Sequence, residues 1–223
     1  MLDRPAERVT QTSTGTMLVK ERGRSSMRPR KFREAVGALP PKFRLFLIGV
    51  AIFGAGDFAH TLLILRATQA LTPSLGAVPA GTFAVGLYTV HNVLYAAASF
   101  PMGALGDRFD KRALLAGSYL LAALMSVGFI FAFPAVWTLA PLFGLGGLYI
   151  AIEDTLERAI AADLLPEDLR STGYGVLATA NGLGDFVSSL VVGLLWTAVG
   201  PAAGFAYAAG LSVIGAAIVF RVR

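Results

Sequence analysis

Ala113-Leu-Leu-Ala-Gly-Ser-Tyr-Leu-Leu-Ala-Ala-Leu-Met-Ser-Val-Gly-Phe-Ile-Phe-Ala-Phe133 runs for 21 residues without a charge and stops at Pro134. As a helix it would be roughly 30 Å long, the thickness of the hydrocarbon core of a bilayer. Lys111 and Arg112 stand immediately before it. An uncharged run of this length behind a pair of cations reads as a membrane span. Five further apolar runs can be cut at turn or charge signals on either side, over residues 43–65, 82–105, 137–164, 172–199 and 202–220. The connectors carry helix breakers: Thr72-Pro73 and Pro79, the charged stretch from Asp107 to Arg112, Pro134, Pro166-Glu167-Asp168 and Gly200-Pro201. Strand-period alternation is missing, which argues against a membrane barrel. The expected fold is all-α, a polytopic membrane protein with six transmembrane helices.

Composition leads to the same class. Of 223 residues 55% are hydrophobic and only 15% charged, where a soluble domain carries about 25% charged residues. Eleven of the 19 Lys and Arg fall between Met1 and Arg44, so the net charge of +5 describes that segment more than the whole chain. Residues 1–42 form a basic segment without the apolar stretch that a cleaved secretory signal requires. Contact with anionic lipid headgroups explains this segment more simply than nucleic-acid binding, which is not expected. Arg108, Lys111, Arg112, Arg170, Arg221 and Arg223 would fall on the same face as it, with Arg66 alone opposite and Arg158 near a helix end. The positive-inside rule then places both termini in the cytoplasm. With no Cys in the chain, disulfides, thiolate metal sites and Cys nucleophiles are excluded.

Small residues recur at four-residue spacing, as in Gly147 with Ala151, Ala178 with Gly182, and Ala180 with Gly184 and Ser188. Lipid tails are as apolar as Leu, so membrane helices associate through close backbone approach at such positions. One tight bundle is expected.

Polar side chains at membrane depth are costly and should face the bundle interior or water. Asp57, His60 and Thr61 would share a face of the first helix, and Tyr88, His91, Asn92, Tyr95 and Ser99 would form a stripe on the second. The fourth carries Glu153, Asp154, Glu157 and Arg158, and the fifth carries Asn181, Asp185, Ser188 and Ser189. Asp154 and Arg158 are four apart with the acid first, the favoured order for a helix ion pair. Asn181 and the serines suit hydrogen bonds across helices. Once Arg158 is matched with Asp154, Asp57, Glu153, Glu157 and Asp185 retain no intramembrane cation except a protonated His. They are the expected proton carriers or substrate contacts, with His60, His91, Asn92 and Asn181 lining the same path. Two His and several carboxylates could also hold a divalent metal for hydrolysis. The sequence contains no His-Glu-x-x-His, Glu-x-x-His or Gly-x-Ser-x-Gly, so an enzyme, a metal or another cofactor is not expected.

Gly103-Ala-Leu-Gly-Asp107-Arg108-Phe-Asp110-Lys111-Arg112 resembles the Gly-x-x-x-Asp-Arg-x-Gly-Arg-Arg loop of the major facilitator superfamily, found between the second and third helices of each six-helix half. Gly103 matches the position of close helix approach, Asp107 and Arg108 the acid–base pair, and Lys111 and Arg112 the basic tail. Asp110 stands where the family has Gly. Leu39-Pro-Pro-Lys-Phe-Arg-Leu-Phe-Leu47, Gly147-Leu-Tyr-Ile-Ala-Ile-Glu153, Ala162-Asp163-Leu-Leu-Pro166 and Gly173-Tyr174-Gly175 are similar to the second half of a bacterial facilitator, over residues 28–223.

The resemblance implies a secondary transporter of the bacterial inner membrane that moves a small molecule by alternating access, with proton-coupled efflux as one form. Residues 1–42 would be the loop joining the halves. Only one half is expected in a chain of this length, so the partner would be a second half or a second copy. The competing expectation is a non-transporting membrane protein that acts on a partner through its bundle face, or a truncated transporter.

Overall fold

The computed structural model describes residues 32–131 and 133–222. The basic segment expected over residues 1–42 therefore lies outside the described residues as far as Lys31. Every regular element among the described residues is helical. α1 (Phe32–Gly37) is short; α2 (Pro41–Gly54), α3 (Thr61–Leu75), α4 (Ala77–Gly106), α5 (Lys111–Phe131), α6 (Val136–Leu164), α7 (Arg170–Ala198) and α8 (Pro201–Phe220) follow, with a 3-10 turn over Glu167–Leu169. Five of these, α4 to α8, are long and apolar enough to cross a membrane.

Local chemistry explains most of the ends. Pro41 and Pro201 begin α2 and α8, where a missing N–H costs nothing and the fixed φ suits the first turn. Gly200, at φ +134, turns the chain between α7 and α8. The uncharged run that starts at Ala113 is α5, which begins two residues earlier at Lys111 and ends at Phe131. Of the breakers between the first and second runs, Pro73 lies within α3 and Pro79 in the first turn of α4. The turn is made by Gly76 alone, at φ +82, a left-handed conformation open to glycine.

The first run departs most from its expected form. Residues 43–65 do not make one helix: α2 ends at Gly54 and α3 begins at Thr61. The ladder loosens into mixed turns: Gly56 N–H donates to Phe53 O at 2.7 Å, and Asp57 N–H is shared between Phe53 O at 3.0 Å and Gly54 O at 3.1 Å. Asp57 and His60 thus lie in non-helical backbone instead of on a helix face. Tertiary contact accounts for the interruption at this point. A Cβ on Gly56 would lie 2.8 Å from Leu211 Cβ and 3.2 Å from Ala208 O in α8, and one on Gly184 of α7 would lie 2.8 Å from the carbonyl carbon of Gly54. Gly56 and Gly184 are therefore the positions of this contact at which a side chain has no room.

The bundle closes around large aromatic side chains. Phe53 of α2 stacks on Tyr119 of α5 at 3.7 Å between ring centroids, and Phe129 of α5 on Phe205 of α8 at 5.2 Å. Phe143 of α6 meets Phe129 edge-on. These rings are fully buried and join α2, α5, α6 and α8 on one side. α4 and α7 are the least buried of the five long helices. α4 packs on α3 and α6, whereas α7 packs mainly on α2 and α8.

Candidate functional site

A cavity of about 880 Å³ lies between the α2–α3 interruption, α6 and α7. Its first wall is unwound chain carrying Asp57, Phe58 and His60; the second is the α6 face with Glu153, Asp154, Glu157 and Arg158; the third is α7, with Tyr174, Asn181, Asp185 and Ser189.

The unwound wall is held by side chains from elsewhere. Non-helical backbone in an apolar bundle must find partners outside its own ladder. Ser188 Oγ donates to Asp57 O at 2.6 Å, and Ala59 N–H donates to Ser189 Oγ at 3.3 Å. Gly184 makes both contacts feasible by letting α7 lie against Gly54. The half-buried Asp57 carboxylate accepts the Tyr149 hydroxyl at Oδ1, 2.9 Å away. The same phenol oxygen is 2.5 Å from His60 Nε2. A phenol has one proton; with that proton given to Asp57, His60 Nε2–H is the donor to Tyr149. Tyr149 therefore ties the two sides of the interruption to α6.

The α6 wall divides its acids by their partners. Glu157 is buried and fully occupied: Tyr119 O–H donates to Oε1 at 2.5 Å and Asn181 Nδ2–H to Oε2 at 2.8 Å. Asp154 receives Tyr95 O–H at 2.7 Å and Arg158 at 3.2 Å, the latter pair largely open to the surface. Glu153 Oε2 is buried with no hydrogen-bond partner. Asp185 is exposed at the rim on α7.

Two of the expected lining residues stand apart from this cavity. His91 is buried behind it, its ring 5.1 Å from His60 and 5.3 Å from Tyr88, with Nδ1–H donating to Phe143 O at 3.2 Å. Asn92 is exposed on α4, where its amide donates to Tyr88 O one turn back at 2.8 Å. Tyr149 and Tyr119 were not among the expected site residues. Tyr149, Glu153 and Glu157 follow one another at four-residue intervals, a signal of a shared helix face that was present in the sequence.

Comparison with known proteins places this bundle. The profile of the Major Facilitator Superfamily matches residues 46–223. The chain belongs to that superfamily. An uncharacterized MFS-type transporter of Methanocaldococcus jannaschii is 32% identical over 196 residues, which are 88% of this chain and 48% of that protein. The chain spans about half the length of this curated relative. As a facilitator chain it is a multi-pass membrane protein.

The facilitator loop at residues 103–112 has a defined geometry. A Cβ on Gly103 would be 3.4 Å from Thr155, whereas one on Gly106 would be 2.5 Å from Leu156, so the closer approach of α4 to α6 is at Gly106. Asp110, in the usual glycine position, accepts the Arg112 N–H at Oδ1, 3.0 Å away, and starts α5 as an N-cap residue does. Asp107 ends α4. Lys111 reaches Asp163 at the end of α6 with an ion pair of 2.8 Å, joining the α4–α5 turn to the α6–α7 turn at one end of the bundle.

Proposed function

We propose that residues 41–222 form six membrane crossings, with α2 and α3 together as a discontinuous first crossing, and act as one half of a secondary transporter that moves a small molecule by alternating access. The observation that carries this is the carboxylate-lined cavity walled by unwound backbone inside an otherwise apolar bundle. Discontinuous helices are tolerated at membrane depth where they line a cavity, and transporters place their sites there. The cationic ends of the α4–α5 turn and of α8 face the cytoplasm in this arrangement, within the inner membrane. α4 and α7, the least buried long helices, border the missing side, which a second half or a second copy of the chain would complete.

Coupling to protons is assigned to Asp57, Glu153, Glu157 and Asp185, the acids of the cavity. Purified chain in sealed vesicles, alone and with its partner half, tests this by solute flux driven by an imposed proton gradient. Asp57→Asn and Asp185→Asn are each expected to abolish the gradient-dependent part. Wild-type flux in both variants would remove these acids from the coupling path. No gradient-driven flux in either preparation of the unaltered chain would favour the alternative of a non-transporting membrane partner.

A further inference from the structure

We infer that the cavity takes an organic cation that carries at least one N–H and an apolar body, and that the Glu153 carboxylate accepts that hydrogen. This rests on the transport reading only in treating the cavity as a substrate site.

Charge is the first consideration. Asp57, Glu153, Asp154, Glu157 and Asp185 line the cavity, against Arg158 as its guanidinium. That group is already engaged with Asp154, and its side chain is 72% exposed. An ionised carboxylate away from water needs a compensating charge or donors, and like charge repels an anionic ligand. The surplus therefore selects a cation.

Occupancy is the second. Both oxygens of Glu157 and both of Asp154 have donors, and Asp57 Oδ1 has Tyr149. Glu153 lines the cavity and has no donor on its carboxylate among the described residues, with Oε2 shielded behind the wall. A buried acceptor left unmatched is unfavourable, so a ligand N–H that reaches this carboxylate gains a charge-assisted bond in a dry setting.

Size and lining decide what kind of cation. About 880 Å³ falls in the range of sites for drug-sized organic molecules. Among the described residues no three His, Cys, Asp or Glu gather as a metal-ligand set. Phe58, Ile150, Leu177 and the Tyr174 ring supply apolar wall beside the acids, where an aromatic or alkyl body can lie.

Calorimetric titration of the purified full chain in detergent tests this with four probes: 2-phenylethylammonium, its N,N,N-trimethyl analogue, 2-phenylethanol and 3-phenylpropionate. The ammonium is expected to bind about tenfold or more tightly than the alcohol and the trimethyl analogue, from the hydrogen bond to a charged group. The carboxylate is expected not to bind. Glu153→Gln should remove the gap between the ammonium and the trimethyl analogue. Equal binding of ammonium and alcohol, tighter binding of the carboxylate, or absence of ammonium binding would overturn the inference. The trimethyl comparison uses unaltered protein, so it decides the matter even if Glu153→Gln does not fold. Binding is read at equilibrium without flux: ammonium binding by a chain that carries nothing sustains the site and breaks only the transport reading.

Discussion

The α2–α3 interruption and the middle of α6 face each other across one cavity and supply it with acids in opposite ways. α6 stays helical through 29 residues, lacking only the N–H of Pro141 in its second turn, and carries Tyr149, Glu153 and Glu157 on one face at four-residue steps. The interruption gives up the ladder and offers Asp57 and His60 from bare backbone, held by Ser188, Ser189 and Tyr149. An intact helix satisfies its own peptide groups and can leave a carboxylate oxygen unmatched, as at Glu153. An unwound segment needs its neighbours for both backbone and side chain, and Asp57 finds them in Ser188 and Tyr149. Rigidity on one side and dependence on neighbours on the other follow from the same rule about buried peptide groups.

The contrast can be broken first at its glycine contacts. A Cβ on Gly147 of α6 would lie 2.3 Å from His91 O, and one on Gly184 would lie 2.8 Å from the Gly54 carbonyl carbon. Both obstacles are main-chain atoms. Gly147→Ala is expected to cost about 3 kcal/mol, since α4 and α6 are both locked helices at that contact. Gly184→Ala should cost less, about 1–2 kcal/mol, because the end of α2 can yield. Thermal unfolding in detergent ranks them; the reverse order would make the interruption the stiffer side.

Buried hydrogen bonds come next. Glu157→Ala leaves Tyr119 and Asn181 without their acceptor and should destabilise by about 2 kcal/mol. Tyr149→Phe removes one hydroxyl that serves both Asp57 and His60 and should cost about 1 kcal/mol. The 15N signal of His60 Nε2 should move in Tyr149→Phe and stay in place in Tyr119→Phe. Equal shifts in both variants would dismiss the Tyr149 bridge. Smallest of all, Arg158→Ala should change stability by no more than about 0.5 kcal/mol, because the Asp154–Arg158 pair is exposed.

Much of the bundle was legible in residue order. Uninterrupted apolar runs located α4 to α8, and the residues from Gly103 to Arg112 pointed to the superfamily. The interruption was not legible, because hydropathy averages over side chains and Gly54-Ala-Gly56 is as apolar as its surroundings. At that point α2 meets Gly184 and α8, which are distant in sequence. The roles of Ser188 and Ser189 depend in turn on that backbone being unwound, so they could be noted as polar but not assigned a partner. Asp57, Glu153, Glu157, Asn181 and Asp185 were singled out by cost alone, and the structure brings all of them to one cavity. The same criterion also picked His91 and Asn92, one buried behind the cavity and one on the outside of α4. Depth in the membrane constrains a polar residue to find a partner; it does not say which one.

Gly76 adds a mechanical corollary. As the only residue between α3 and α4, with its N–H bound to Thr72 O and its carbonyl to Ala80 N–H, it leaves no slack for the two helices to tilt separately. From Thr61 to Gly106 the chain is therefore two packed helices whose angle is set by a single residue. Because α4 is itself set against α6 at Gly147, the α3 end of the interruption is braced through α4 as well as by Tyr149.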